Sequence, residues 1–193
     1  MSLLIQKTFS QSFNAGMQGG MSATQVTGDG LGGFDKPGLF AGFMVNYPIS
    51  DRADIQLEMN FIQKGSRGNA KPTAGNYDSY LLRLNYVELP LMVRFELKKP
   101  LRIELGLQFA YLINAREFDL YGEVSPDPSI PYFHDLDFSG FGGLNYQIKD
   151  HWAISLRYAY SIIAIRPKPT TVTYRYDGGL FNEVLCTSVQ YLF

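Results

Sequence analysis

Between Pro100 and Arg116 the chain alternates strictly: Leu101, Ile103, Leu105, Leu107, Phe109, Tyr111 and Ile113 take every second place, with Arg102, Glu104, Gly106, Gln108, Ala110, Leu112 and Asn114 between them. Side chains of a β-strand flip faces at each residue, so a strand collects all the large apolar groups on one side. A helix would scatter them around its circumference. The stretch is read as a strand with one bulky apolar face and one mixed, smaller face.

The same two-residue rhythm returns along the chain. Ala53 to Lys64 sets Ile55, Leu57, Met59 and Phe61 against Asp54, Gln56, Glu58 and Asn60, and Trp152 to Ile165 sets Trp152, Ile154, Leu156, Tyr158, Tyr160 and Ile162 against Ser155, Arg157, Ala159 and Ser161. The last stretch, Glu183 to Phe193, places Leu185, Val189, Tyr191 and Phe193 opposite Cys186, Ser188 and Gln190. Gly38 to Pro48 and Asp137 to Ile148 carry the pattern less cleanly because glycine weakens strands, and Phe13 to Ala23 shares Phe13, Ala15, Met17, Gly19 and Met21 on one face. Tyr80 to Leu97 contains Pro90, which cannot donate a ladder hydrogen bond. A bulge or broken pairing is expected there, with the change of register turning Glu88 inward.

Eight strands result, and their connections are of two kinds. Ile49 to Arg52, Lys98 to Pro100 and Lys149 to His151 are tight turns, whereas residues 25–37, 66–79, 117–136 and 167–181 are long and rich in Gly, Pro, Asp and Asn. Strict alternation of long and short connections is the up-and-down order of an outer-membrane barrel, with short periplasmic turns and longer external loops. The expected fold is an all-β, eight-stranded antiparallel up-and-down transmembrane β-barrel, one domain over residues 1–193. The barrel is placed at about residues 12–193, and residues 1–11 are read as an N-terminal extension in which Met1 to Leu3 stand where an export signal was removed. The terminal strand is then the one that closes the barrel.

Composition agrees with a membrane solvent. Charged residues make up 18% of the chain against the usual quarter, and aromatics reach 15%. No run of about 18 apolar residues exists, which excludes a transmembrane helix but not a barrel. A net charge of −1 with no basic stripe excludes nucleic acid as a partner and makes membrane phosphate no obvious target. The single Cys186 offers neither a disulfide nor zinc spacing and is read as a packing residue.

An amphipathic barrel could also be a soluble lipocalin-like carrier with its apolar face turned inward around a ligand. Against this, the mixed face carries Gly16, Gly20, Gly42, Gly106, Ala110, Ser139, Gly143, Ser155 and Ala159, which suit a crowded interior better than a wet surface. The opposite face is uniformly large and suits lipid. Tyr47, Phe95, Tyr146, Trp152, Tyr191 and Phe193 all fall near the short turns, as candidate membrane-interface aromatics. Glu58, Lys64, Glu88, Arg94, Glu104 and Arg157 point into the lumen and are expected to form a charge network that plugs it, because an unpaired buried charge is prohibitively costly.

Two segments resemble the PorT-like outer-membrane β-barrel family of Bacteroidetes. They are Leu57-Glu-Met-Asn-Phe-Ile-Gln-Lys-Gly65 and Leu84-Asn-Tyr-Val-Glu-Leu-Pro-Leu-Met-Val-Arg-Phe95, similar to that family's ELNF-x-QKG and NY-x-E-x-P-L stretches. Leu156-Arg-Tyr158 and the terminal Tyr191-Leu-Phe193 are also similar. The resemblance implies an outer-membrane location, with the assembly machinery as partner during insertion. It also implies secretion or transport components as partners, since named members take part in secretion of surface proteins.

Catalytic signals are weak. A lipid-modifying barrel enzyme would need a His, a Ser and an acid together; His134, Asp135 and Ser139 are the nearest set, but a strand puts His134 and Ser139 on opposite faces, and His151 lies in a tight turn. Gly28 to Gly33 is glycine-rich without a helix to complete a phosphate cradle. Asp127, Asp135 and Asp137 lack calcium-loop spacing. The expectation is a monomeric, non-enzymatic barrel without metal or cofactor, its lumen filled, whose loops offer Tyr132, Phe133, Tyr174 and Tyr176 to a partner. The alternatives are the soluble carrier and the outer-membrane lipid-modifying enzyme.

Overall fold

The computed structural model describes residues 13–69, 79–124, 132–167 and 178–193. Its strands are β1 (Asn14–Thr27), β2 (Lys36–Ser50), β3 (Ala53–Lys64), β4 (Arg67–Gly68), β5 (Tyr80–Lys98), β6 (Leu101–Asp119), β7 (Gly122–Glu123), β8 (Leu136–Lys149), β9 (Trp152–Ser161) and β10 (Phe181–Leu192). The two-residue β4 and β7 lean on the loop ends of β5 and β6. The other eight each pair antiparallel with two neighbours, β5 with β6 on one side and β1 with β10 at the seam, so the sheet closes and leaves no long edge. This is the eight-stranded up-and-down barrel expected from the alternation.

The faces also fall as the pattern dictates. Leu105, Leu107, Phe109, Tyr111 and Ile113 of β6 are exposed on the outside, as are Leu57, Met59, Ile154 and Leu156, while Glu58, Asn60, Glu104, Gln108, Ser155 and Arg157 are buried within. The small inward residues are there because the lumen is tight. A Cβ added to Gly106 would lie 2.7 Å from the Phe141 ring and 2.8 Å from Met92 Cβ, closer than carbon atoms approach. Cys186 is buried on this inner face as a free thiol.

Pro90 interrupts the pairing, as its sequence position suggests, but without the expected change of register. The β3–β5 ladder lapses opposite it, between Leu57↔Leu91 and Asn60↔Glu88, but resumes in the same register. Tyr86, Glu88, Met92 and Arg94 are therefore all buried on one uninterrupted inner face, and Glu88 faces the lumen without any reset. The missing N–H costs ladder bonds and leaves the pleat intact. The β5–β6 ladder shifts register elsewhere, beside the short turn between Glu96 and Lys98 and toward the loops between Asn85 and Tyr86. There Asn85 pairs with Asn114 but Tyr86 with Leu112, leaving Ile113 as the extra residue. Below the bulge Leu112 packs against the interior cluster; above it Asn114 lies opposite the outward Asn85, not on the inner face where strict alternation would put it.

At the loop end an apolar cluster of Val26, Leu82, Leu84, Ile165, Leu180 and Val184 closes the lumen, with Thr24, Lys36 and Ser66 also buried at this end. The described ends of the β9–β10 connection join this cluster: Ile165 N–H donates to Leu180 O at 2.8 Å, and His134 N–H donates to Ile165 O at 2.7 Å. Arg166 clamps the arrangement, its Nη2 2.6 Å from Glu117 Oε1 and its guanidinium 3.8 Å from the Phe133 ring centre. An Arg166→Ala variant should lose about 1 kcal/mol of local closure. The expected sign is amide exchange at His134 about fivefold faster by hydrogen–deuterium exchange, with barrel amides unchanged.

Candidate functional site

The lumen holds its charges in three groups stacked along β3. In the middle, Arg157 of β9 reaches across the barrel to Glu58 and Glu104. Its Nη1 donates to Glu58 Oε2 at 2.9 Å, and its Nη2 donates to Glu58 Oε1 at 3.1 Å and Glu104 Oε2 at 3.0 Å. The guanidinium also lies 4.9 Å from the Phe141 ring centre. Asn60 and Gln56 donate to Glu58, and Ser155 Oγ donates to Glu104 at 3.0 Å. A planar fork that serves two carboxylates at once is what arginine provides and lysine does not.

Nearer the loops, Lys64 Nζ sits 2.7 Å from Glu88 Oε1, 3.0 Å from Asp137 Oδ2 and 4.8 Å from the centre of the Tyr86 ring. Asn182 and Ser139 donate to Asp137 at 2.9 and 3.0 Å. Nearer the short turns, Arg94 does not join the other lumen charges as anticipated; its Nε donates to Asp54 at 2.6 Å, with Arg102 3.6 Å away on the other carboxylate oxygen. An amide chain fills the adjoining wall: Gln18 donates to Asn60 at 2.9 Å, Gln190 to Gln18 at 3.0 Å and Asn145 to Gln190 at 2.7 Å.

All six anticipated residues are buried and ion-paired, five of them in the Arg157 and Lys64 groups and Arg94 apart on Asp54. Two of the carboxylates, Asp137 and Asp54, are ones that sequence reasoning did not assign to the network. Asp137 was weighed as a loop carboxylate for calcium, yet it is fully buried and ion-paired; it is the second residue of β8, and alternation with Ser139 is the signal that places it inside. Asp54 lies on the polar face of β3, and the β3–β5 register sets it directly opposite Arg94. Among the described residues no cluster of His, Cys, Asp and Glu could hold a metal. Most of the lumen's polar atoms pair with one another, although Asn46, Gln56, Glu104, Asn145 and Asn182 each keep a buried oxygen without a partner. A polar cavity of about 510 Å³ lined by Asp54, Arg94 and Arg102 opens at the short-turn end.

The rim at the short turns gathers the anticipated aromatics. Trp152 and Tyr191 are directly paired across β9 and β10 with ring centres 4.8 Å apart, and Phe193 meets Tyr191 edge-on at 5.9 Å. Tyr47 packs on Phe13 at 5.3 Å, while Phe95, opposite Ile103, and Tyr146, opposite Ile154, are half-exposed on the same outer face. Toward the loops the apolar wall ends at Glu183, an outward carboxylate that accepts from Tyr158 Oη at 2.7 Å and Thr27 Oγ1 at 3.1 Å. In the β1–β2 loop beyond it, burial pushes the Asp29 carboxyl above its ordinary pKa, although Asp29 Oδ1 accepts the Leu31 N–H at 2.8 Å.

The loop aromatics divide. Tyr132 is exposed, but Phe133 is held beneath Arg166 against the interior cluster, so it seals the mouth instead of offering a contact. Tyr174, Tyr176 and Asp127 lie outside the described residues. His134 is exposed with its Nδ1 2.9 Å from Ala164 O, while Ser139 is buried in the lumen on Asp137. His134 lies in the loop before β8, not on the strand whose alternation would set it opposite Ser139, and Ser139 is held on Asp137 inside the lumen.

A closed barrel that puts large apolar side chains outside and ion pairs inside defines the class: an integral outer-membrane β-barrel, not a soluble carrier. The chain belongs to the family described as outer membrane protein beta-barrel domain, whose model matches residues 9–165, and its location is the bacterial outer membrane. Among solved structures it is similar to Ail, the attachment invasion locus protein of Yersinia pestis, with 12% identity, a TM-score of 0.53, and coverage of 93% of this chain and 98% of that one. It is also similar to Neisserial surface protein A, with 15% identity, a TM-score of 0.54, and coverage of 94% and 97% respectively. Both likenesses are of fold. No curated protein matches the sequence.

Proposed function

We propose that this protein is a non-enzymatic scaffold of the outer membrane, a sealed barrel that holds its loops at a fixed place on the external side as an accessory of transport or secretion. The observation that carries this reading is the cross-lumen network, in which Arg157 and Lys64 each bind two carboxylates and leave the interior filled. The PorT-like resemblance of the segments around Lys64 and Pro90 supports the secretion role. Closure at the β1–β10 seam supports a monomer, because no strand edge is left to recruit a second copy. Tyr47, Phe95, Tyr146, Trp152, Tyr191 and Phe193 serve as a girdle at the periplasmic headgroup level, where rings are buried and polar tips stay wet.

Reconstituted into planar bilayers, the purified barrel is expected to give no steady ion conductance. A reproducible unitary current would mean that the ion-paired groups line a pathway and would overturn the scaffold reading. The partner is sought by crosslinking from loop cysteines placed at Tyr132 in native membranes. Capture of secretion or transport components supports the role, and capture of none from either loop face removes it.

A further inference from the structure

We propose that a basic cleft on the outer wall, at the loop end of β5 and β6, binds a phosphorylated lipid headgroup of the external leaflet. This rests on the outer-membrane location and not on the scaffold role. The pairing of β5 with β6 sets Leu91 opposite Leu107, Leu89 opposite Phe109 and Val87 opposite Tyr111, all facing outward. Past the bulge at Ile113, the next outward pairs are Asn85 with Asn114 and Arg83 with Arg116. The wall therefore changes from lipid-facing to cationic within two outward pairs. That is the depth at which acyl chains give way to headgroups.

Like charges directly opposite each other on one face of a sheet repel and are destabilising. Here the repulsion is compounded, because Arg67 of β4 and Lys36 of β2 line the same cleft of about 610 Å³. Among the described residues one acid is within reach, Glu123, whose Oε1 stands 3.8 Å from Arg116 Nε with both side chains more than half exposed. Arg83 is steadied over the Phe118 ring, 5.3 Å from its centre, which keeps its guanidinium against the wall. Guanidinium forks bind phosphate oxygens in pairs. The flanking Asn85 and Asn114 supply amide donors for the ester or hydroxyl oxygens beside the phosphate. The net charge of −1 over the whole chain hides this local concentration.

Lipid is the source because the cleft opens on the side of the barrel, directly above Val87, Leu89, Phe109 and Tyr111, where the acyl chains of the same molecule would lie. The test is native mass spectrometry of the full chain in neutral detergent, titrated with phosphatidic acid or phosphatidylcholine of identical acyl chains. Wild type is expected to prefer phosphatidic acid by about tenfold in Kd, and the Arg83→Gln/Arg116→Gln variant to lose that preference. Folding of each variant is checked by its heat-dependent gel mobility. If the double variant does not fold, Arg116→Gln alone is read, expected to cut the preference about threefold, since this exposed side chain bears little of the fold. Equal retention of both lipids by wild type, or an unchanged preference in the variants, overturns the proposal. Displacement of phosphatidic acid by millimolar inorganic phosphate would assign the cleft to a soluble anion and overturn the lipid source.

Discussion

Replacing Arg157 with leucine is expected to lower the stability of the folded barrel by about 3–5 kcal/mol, the range found when one partner of a buried ion pair is removed. Glu58 and Glu104 would stay behind in the lumen with their charges uncompensated, both all but inaccessible to solvent. Their remaining donors are neutral, Asn60 and Gln56 on Glu58 and Ser155 on Glu104, and Glu104 Oε1 has no partner even with the arginine in place. Leucine keeps the apolar stem but not the guanidinium that meets Phe141 and Met92, so a smaller packing loss is expected beneath the loss of charge pairing and hydrogen bonding. The measurement is the urea midpoint of refolded barrel in vesicles, followed by Trp152 fluorescence. Adding Glu58→Gln and Glu104→Gln to Arg157→Leu should recover most of the loss, because the desolvation debt of two carboxylates disappears with their charge. A single Arg157→Leu barrel with wild-type stability would mean that water reaches this layer, and the plugged lumen would fail with it.

Which residues face in and which face out was legible in the sequence, because a period of two survives any uncertainty about strand ends. Leu105, Phe109 and Leu156 could only go one way once Glu104, Gln108 and Arg157 went the other. The turns were legible for the same reason, since Lys149 to His151 leaves no room for anything but reversal. What alternation cannot supply is height in the barrel. Lys64 and Asp137 meet across 73 positions of chain, a distance fixed by strand stagger and not by either neighbourhood. Asp137 looked like a loop acid because Asp135 and His134 precede it, although alternation with Ser139 already pointed it inward; the pairing of Ala110 with Asp137 fixes it inside the wall. The misplaced bulge has a similar origin. Proline is a visible reason to expect one, whereas the actual bulge at Ile113 marks nothing unusual in composition. It matters more than the expected one, since it brings Asn114 and Arg116 to the outer face.

Gly20→Val is expected to block closure of the barrel, costing about 3 kcal/mol or more, the upper end of overpacking effects. Gly20 sits in the middle of β1 and pairs with Ser188 of β10 on one side and Phe40 of β2 on the other. A Cβ at this position would overlap the carbonyl oxygen of Thr187 and lie 2.7 Å from Ser188 Cα. Both obstacles are backbone of the partner strand, so no rotamer change relieves them. Gly19 is the control: it faces outward, its added Cβ would find only Phe40 O at 3.9 Å, and Gly19→Ala should change stability by less than about 0.5 kcal/mol. Heat-dependent gel mobility after refolding into vesicles reports the folded fraction of each, and urea titration reports the midpoint of what folds. The seam amplifies the clash, because parting β1 from β10 exposes two rows of N–H and C=O groups to hydrocarbon, where nothing can satisfy them. Gly20→Val should therefore appear as failure to insert, and a fully folded variant with a wild-type midpoint would show that the close approach of the first and last strands is not what sets the barrel's width.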